Sequence, residues 1–206
     1  MAETKLHLGC GTKSLSGWVN VDAVADCKPD LLHDLRQPLP FDDLSVSEIL
    51  AQDLLEHFDK YSRYLVFFDW ARVLQMGGVI RLQVPDFQHM LKKRRKLGDA
   101  NFIDVLFGEN MWQSEIYTGH YGNHKWAYTS KSLSEFVEIF GIQTVECERI
   151  GMNLSWIGEK VTHVKWQDIQ SLQVYSHANH CGDGRDSVSL EEVQIKMSNF
   201  SAKQVA

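Results

Sequence analysis

The chain has 206 residues, of which 44% are hydrophobic and 23% charged, as in an ordinary globular protein. This length fits one domain and allows a core large enough to fold without a disulfide or metal staple. The net charge of −6 at pH 7 counts against a nucleic-acid binder, because neutralising phosphates needs clustered lysines and arginines. One basic run, residues 92–96, is expected on the solvated face of a helix.

Membrane, disulfide and metal signals are weak. The N-terminus lacks an apolar signal segment, and no stretch is apolar enough to cross a bilayer. The four cysteines are scattered without a CxxC pair, which predicts reduced thiols in a cytoplasmic protein. Two groupings have metal-ligand spacing, His120-x3-His124 and His177-x2-His180-Cys181, but neither has the paired cysteines that make a zinc site specific. We therefore expect no metal, no membrane association and no nucleic-acid partner.

Strand and helix signals alternate along the first half of the chain, which predicts an α/β sheet with parallel strands. The first five predicted strands are residues 5–8, 18–21, 30–33, 47–52 and 79–84. Apolar residues at helical spacing predict a helix over 61–75, ended by Gly77-Gly78. Two more helices are predicted over 87–96 and 99–107, the first with Asp86 as its N-cap.

The second half begins with an aromatic-rich segment, residues 108–128, which we predict to be a loop that covers a binding site. Ser130 is predicted to cap a helix over 131–140, and a sixth strand follows at 142–149. Residues 151–206 have a weaker pattern. Strand-like alternation occurs at 161–165 and 172–175, and 188–197 is predicted to be the last strand of a single domain over 1–206.

The turn Gly9-Cys10-Gly11 directly follows the first strand, where glycine lets the backbone turn sharply and approach a ligand. It departs from the dinucleotide fingerprint, since Ser14 replaces the third glycine and the acid Asp22 comes only eleven residues after Gly11. This spacing has no room for a full helix between the strands, so the site suits a ligand with an amino-acid end and a ribose better than a pyrophosphate. The alternative is a structural turn followed by a strand-capping aspartate.

The order of several segments narrows this interpretation. The chain contains, in sequence, LHLGCGTKSLSGWVNVD, DLLHDLRQPLPFDDLSVSEILAQDLLEHF and WARVLQMGGVIRLQVPD. These segments resemble the successive motifs of class I S-adenosylmethionine-dependent methyltransferases, and most closely the small bacterial-type group (methyltransferase type 11-like) with a shortened first helix. The resemblance covers about residues 5–150. It implies a Rossmann-like methyltransferase sheet, mostly parallel with an antiparallel last strand and helices on both faces, and S-adenosylmethionine as cofactor.

The resemblance also implies which residues hold the cofactor. The glycine turn and Asp22 match the cofactor loop and the ribose acid, two residues match the segment beside the adenine, and three match the segment near the methionine part. These nine residues are Gly9, Cys10, Gly11, Asp22, Asp34, Leu35, Gln52, Asp53 and Leu54. A histidine is common in this group where Asp53 stands, and Glu56-His57 matches the family's LEH segment.

Methyl transfer requires a donor and a nucleophile held in line, and an oxygen or nitrogen acceptor must also lose a proton. Histidine is the best base near neutral pH. The predicted catalytic candidates are His120 and His124 in the aromatic segment, with His57 slightly behind; packing of the loop is the alternative role. The aromatic residues of the segment are expected either to wall the substrate or to form the loop's own small core. They are Tyr117, Tyr121, Trp126 and Tyr128.

The sequence therefore predicts a methyltransferase acting on a small molecule or a sugar or glycan intermediate. One alternative is a non-catalytic protein that keeps the fold as a cofactor-binding or interaction module. A nicotinamide-dependent oxidoreductase is disfavoured by the missing third glycine and the short spacing to the acid. The aromatic segment would also allow a dimer contact, so a homodimer is a further hypothesis.

Overall fold

A single sheet organises the part of the chain that the computed structural model describes, residues 3–108 and 122–166. Its seven strands in that part are β1 (Thr4–Leu8), β2 (Val19–Asp22), β3 (Leu31–Leu32), β4 (Val46–Gln52), β5 (Leu74–Pro85), β6 (Ile142–Ile150) and β7 (Asn153–Lys160). They lie in the order β3-β2-β1-β4-β5-β7-β6, with β7 antiparallel to both of its neighbours and the other pairs parallel. The predicted mostly parallel sheet with an antiparallel strand is confirmed.

The central strands β1 and β4 carry buried apolar residues because both faces of a parallel sheet are covered. Leu6, Leu8 and Ile49 have no exposed surface. The α-helices of the described part are α1 (Ser62–Val73), α2 (Phe87–Leu97), α3 (Asp99–Phe107) and α4 (Ser130–Glu138). The predicted bounds of α3 are confirmed at both ends. None of the helices in the described residues combines the length and the apolarity that crossing a membrane would require.

Side-chain oxygens set where these helices begin. Asp86 caps α2, as predicted, because its carboxylate accepts a hydrogen bond from the His89 amide (3.1 Å). The predicted cap of α4 was wrong by one residue. Thr129 is the N-cap and Ser130 is the first helical residue, since the Thr129 hydroxyl accepts from the Ser132 amide (3.1 Å) and the Ser132 hydroxyl accepts from the Thr129 amide (2.9 Å).

The predicted end of α1 at Gly77-Gly78 was wrong. The helix ends at Val73, and both glycines lie inside the irregular first part of β5. The reason is Lys160, a buried residue of β7 whose ammonium donates to the carbonyls of Ala71 and Leu74, so the end of the helix does not depend on a glycine cap.

The seventh strand of the described part, β7, does not follow from the sequence pattern, which places the last strand at 188–197. Its buried face carries Leu154, Trp156, Gly158 and Lys160, and the last two break the apolar alternation that marks a strand. Residues 161–165, predicted to be a strand, are not one. Predicted strands 172–175 and 188–197 lie outside the described residues.

The sheet and its helices belong to one compact unit, Met1–His163, and the remaining residues are a second unit, Val164–Ala206. The structure describes residues 164–166 of the second unit. One domain over all 206 residues therefore stays a prediction.

Candidate functional site

A cavity of about 840 Å³ opens at the carboxyl ends of β1, β2, β4 and β5. Ligands of open α/β sheets bind at this edge, because loops that follow neighbouring parallel strands converge there. All nine residues predicted to hold the cofactor line this cavity: Gly9, Cys10, Gly11, Asp22, Asp34, Leu35, Gln52, Asp53 and Leu54. Two of the predicted catalytic histidines, His57 and His124, line it as well. The third, His120, lies outside the described residues.

The glycine turn needs glycine at both positions. Gly9 and Gly11 have φ angles of +62° and +53°, in the left-handed region that residues with a Cβ rarely adopt. A Cβ on Gly9 would also lie 2.8 Å from the Leu54 Cδ1 atom, so the turn after β1 packs directly on the segment after β4. Burial raises the pKa of the Cys10 thiol to about 11, which leaves this residue to act through its backbone.

Asp22 is the last residue of β2, and it is almost fully buried beside the glycine turn. One carboxylate oxygen accepts from the Gly11 amide and the other from the Val24 amide, each at 2.9 Å. Asp22 therefore fixes the glycine turn against the loop after β2, a contact that the sequence did not reveal. No helix follows Gly11 before β2, so the predicted shortening of the first crossover is confirmed.

The segment after β3 has two polar residues and one apolar residue at the cavity, Asp34, Arg36 and Leu35. The Asp34 carboxylate pairs with the Arg36 guanidinium at 2.7 Å, and this hydrogen bond lowers the pKa of Asp34. Leu35 is buried and presents the apolar surface. The structure thus offers an apolar contact at Leu35 and a salt-bridged carboxylate next to it.

Asp53 has a left-handed backbone, with a φ of +49°, at the point where β4 ends. Its carboxylate accepts from the amide groups of Gln83 (3.0 Å) and Asn153 (3.0 Å), at the ends of β5 and β7. Both partners line the cavity, and neither was identified as a site residue from the sequence. Asn153 begins the unpredicted strand β7, 100 positions away from Asp53, so no local signal connected them.

A second group of polar side chains lies where the chain leaves β4. Glu56 and His57 belong to the short 3-10 helix Leu55–His57. Glu56 is 1% exposed, and both of its carboxylate oxygens lack a hydrogen-bond partner among the described residues. The Nε2 atom of His124 lies 4.0 Å from the Glu56 Oε1 atom, and the rings of His57 and His124 lie edge to face at 5.1 Å. We call these three residues the Glu56 corner.

Burial dominates the titration of the Glu56 corner. It raises the pKa of Glu56 well above the usual carboxyl value, lowers the pKa of His57 to about 4, and lowers that of His124. For each of the three groups, burial disfavours the charged form. The sequence analysis identifies His57 and His124 as candidate catalytic residues. It includes Glu56 only in the match to the family's LEH segment, and the position of Glu56 next to His57 is the signal that could have identified it.

Two of the four aromatic residues expected at the substrate, Trp126 and Tyr128, lie among the described residues. The Trp126 ring stacks on the Arg63 guanidinium of α1 at 3.9 Å, and Tyr128 is 1% exposed against Phe136 of α4. Tyr128 is buried and Trp126 half-buried, and neither lines the cavity of about 840 Å³. Because their contacts are with α1 and α4, they do not form a small core of the loop itself, so neither expected role fits these two residues. Tyr117 and Tyr121 lie outside the described residues.

Comparison with known proteins bears on the fold. No family model and no curated relative matches the chain. Solved structures do match. One is an S-adenosylmethionine-dependent methyltransferase from Clostridium acetobutylicum, with a TM-score of 0.54 and 12% identity over 77% of this chain and 84% of that one. Another, from Methanosarcina mazei, is an S-adenosylmethionine-dependent methyltransferase with a TM-score of 0.54 and 15% identity over 79% and 95%.

The chain has the class I methyltransferase fold. A third match with this fold is LepI in complex with S-adenosylmethionine, with a TM-score of 0.50 and 9% identity over 77% of this chain and 43% of that one. At these identities the likeness concerns the fold. What the cavity binds has to be argued from its own residues.

Proposed function

We propose that this chain is an S-adenosylmethionine-dependent methyltransferase acting on a small molecule or a sugar or glycan intermediate. The observation that carries the proposal is the convergence of the glycine turn, Asp22 and residues 52–54 on one cavity at the carboxyl edge of a sheet with methyltransferase strand order. The volume, about 840 Å³, is in the range of pockets that enclose a cofactor together with a small partner.

The cavity residues fit this cofactor in three ways. Gly9 and Gly11 have no Cβ atoms, so the backbone of the turn can approach the amino-acid end of the ligand closely. Each carboxylate oxygen of Asp22 can accept a second hydrogen bond besides the one from the backbone, which suits the two ribose hydroxyls. Leu35 offers an apolar face for the adenine, and the Asp34 carboxylate beside it offers acceptors.

Methyl transfer itself asks little covalent chemistry of the protein. The bound cofactor supplies an electrophilic methyl group on a sulfonium centre. The cavity walls exclude water and hold the acceptor in line with that methyl group, and such positioning lowers the barrier by several kcal/mol. We assign the Glu56 corner to the acceptor side of the cavity, where His57 and His124 orient the acceptor and assist the loss of its proton. His120 stays a predicted catalytic residue.

Two other functions are less well supported. The pyrophosphate of a nicotinamide cofactor is commonly bound at a helix N-terminus, and no helix begins between Gly11 and β2. A non-catalytic binding protein is favoured by one observation, namely that Asp53 stands where the resembling family often has histidine. A cytoplasmic location and a homodimer stay predictions.

Cofactor binding can be tested by calorimetric titration with S-adenosylhomocysteine. We expect Asp22→Ala to weaken binding by about 1–3 kcal/mol, roughly 5- to 150-fold, because contacts to the ribose are lost. Asp26→Ala is the matched control, since it removes the same charge from an exposed position four residues away. Asp22→Ala also removes the hydrogen bonds that Asp22 accepts from the Gly11 and Val24 amides, and thermal unfolding without ligand measures the stability lost with them. An unchanged dissociation constant for Asp22→Ala would refute the ribose assignment.

Catalysis can be tested with S-adenosylmethionine labelled in its methyl group and fractionated small-molecule and sugar extracts. The proposal predicts that label enters at least one fraction and that Asp22→Ala reduces this transfer while Asp26→Ala does not. A protein that binds S-adenosylhomocysteine yet labels no fraction would favour the non-catalytic alternative.

A further inference from the structure

The Glu56 corner contains an unusual carboxylate. Glu56 is 1% exposed, and neither of its oxygens has a hydrogen-bond partner among the described residues. A buried carboxylate without partners is strongly destabilising, so it must either hold a proton or meet a cation. Neither oxygen accepts a hydrogen bond from a lysine or arginine of the described residues, and the Nε2 atom of His124 lies 4.0 Å from the Oε1 atom.

We propose that Glu56, His57 and His124 bind a divalent first-row transition-metal ion, such as Zn²⁺, Mn²⁺ or Co²⁺, on the wall of the cavity. One ligand atom from each residue lies within 4.8 Å of the others. Around one ion with bonds of about 2.0–2.2 Å, neighbouring ligand atoms lie roughly 3.4 Å apart. Closing the 4.0 Å gap between Glu56 and His124 to that value takes side-chain movements of less than about 1 Å.

The backbone holds the three ligands in place. The Glu56 carbonyl accepts from the amides of Lys125 (2.7 Å) and Trp126 (3.0 Å), which ties the 3-10 helix to the residues just after His124. The His124 amide donates to the Phe107 carbonyl at the end of α3 (2.9 Å). Backbone hydrogen bonds next to the site therefore fix both segments that carry the ligands.

Backbone groups also lie beside both imidazole rings. The Nδ1 atom of His57 lies 3.2 Å from the Asn123 carbonyl, and the Asp53 carbonyl is a further partner of this ring. Burial lowers the pKa of His124, and the nearby backbone of Leu106 and Val105 acts in the opposite direction. Metal-binding histidines commonly have such outer partners, which fix the ring and the tautomer.

The donor set indicates the class of ion. Two imidazoles and one carboxylate suit zinc, manganese, cobalt or iron, whereas calcium and magnesium prefer oxygen donors alone. The negative charge of Asp53 is close enough to act on both Glu56 and His124, and it would add to the attraction for a cation. Because all three ligands line the cavity, the open coordination positions would face its interior.

The site itself does not depend on the proposed function, but its role does. In a methyltransferase, an ion here would bind the oxygen of a hydroxyl-bearing acceptor and stabilise the alkoxide. The hydroxyl proton would pass to solvent, the oxygen would form a bond to the methyl carbon, and the sulfonium–carbon bond would break to leave a neutral thioether. His57 and His124 would then serve as metal ligands in place of general bases. This revises the expectation that the chain has no metal site.

The test is titration of untagged, metal-stripped full-length protein with Co²⁺, followed by calorimetry and by absorbance. We expect binding without a thiolate charge-transfer band. Glu56→Gln and His124→Ala should weaken this binding at least about 100-fold, because each removes a direct ligand. His33→Ala, which removes a histidine of the β3 loop far along the chain from these ligands, should leave it unchanged. Glu56→Gln preserves shape, so it guards against a variant that merely unfolds.

Several results would overturn the proposal. These are absence of Co²⁺ binding by the wild type, equal binding by Glu56→Gln and wild type, or a thiolate band, which would place the ion on a cysteine. Titration with S-adenosylhomocysteine in parallel separates the two proposals. Retained cofactor binding without Co²⁺ binding refutes only the metal site, and the reverse refutes only the proposed cofactor.

Discussion

Gly9 is the residue at which the geometry of the glycine turn can be tested most sharply. It combines a left-handed φ of +62° with direct packing, since an added Cβ would lie 2.8 Å from the Cδ1 atom and 3.0 Å from the Cδ2 atom of Leu54. The left-handed conformation costs a residue with a Cβ about 1–2 kcal/mol. Forcing an extra carbon against Leu54 adds about 1–3 kcal/mol, towards the lower end because the half-buried Leu54 side chain can shift. We therefore expect Gly9→Ala to lower the free energy of unfolding by about 2–5 kcal/mol.

Gly17 provides the matched control. It has a φ of +81°, and a Cβ added there would meet no atom within 4 Å. Gly17→Ala therefore carries the conformational cost without the clash. It should lower the free energy of unfolding by about 1–2 kcal/mol. Part of this loss is offset because alanine reduces the conformational entropy of the unfolded chain. The difference between the two variants isolates the contact with Leu54.

Urea unfolding of both variants measures these free energies, and unchanged slopes would show that the compactness of the end states is the same. In a double-mutant cycle, Leu54→Ala should relieve part of the penalty of Gly9→Ala and none of that of Gly17→Ala. If Gly9→Ala and Gly17→Ala prove equally stable, the turn after β1 does not pack on the segment after β4 as described. The geometry assigned to the glycine turn would then be wrong.

Three further changes test the framework around the site. Glu48→Gln should cost about 0.5–1 kcal/mol at pH 7. Burial raises the pKa of Glu48, but the bonds to Lys5 and Arg81 outweigh burial and lower this pKa, so the stability is present above the ordinary pKa of 4.5 and is lost in urea unfolding as the pH falls through the lowered value. Burial lowers the pKa of Lys160 to about 8, so between pH 8 and 10.5 this lysine is protonated in the unfolded chain and largely neutral in the folded one. The free energy of unfolding of the wild type relative to Lys160→Met should therefore rise over this pH range, and a difference that does not change with pH would contradict this. Asp86→Ala should cost about 1 kcal/mol in thermal unfolding through loss of the α2 cap, whereas Asp86→Asn should retain most of it, and equal losses would argue against capping.

The sequence could predict features that are local in the chain. The turn at Gly9 and Gly11 and the acid at Asp22 follow strands directly, so strand patterns and turn chemistry placed them at one edge of the sheet. The N-cap at Asp86 and the bounds of α3 are local in the same sense. Only the side chains and the backbone of a few neighbouring residues decide such features.

Features that join distant segments could not be predicted. His124 lies beside Glu56 because the residues that follow it donate backbone hydrogen bonds to the Glu56 carbonyl. The aromatic segment that contains His124 has no regular hydrophobic period from which this contact could be predicted. Asn153 reaches Asp53 from a strand whose buried face carries Gly158 and Lys160, so its pattern does not read as apolar alternation. Lys160 donates to carbonyls at the end of α1, so this helix ends before Gly77-Gly78, although glycines commonly follow the end of a helix.

The most direct test of the central claim is a pair of calorimetric titrations of the wild-type protein, one with S-adenosylhomocysteine and one with NAD. We predict binding of one S-adenosylhomocysteine per chain and none of NAD. The cavity has a glycine turn and the Asp22 carboxylate that we propose binds the ribose, but no helix begins between Gly11 and β2 to bind a pyrophosphate. Tight binding of NAD with none of S-adenosylhomocysteine would contradict the account.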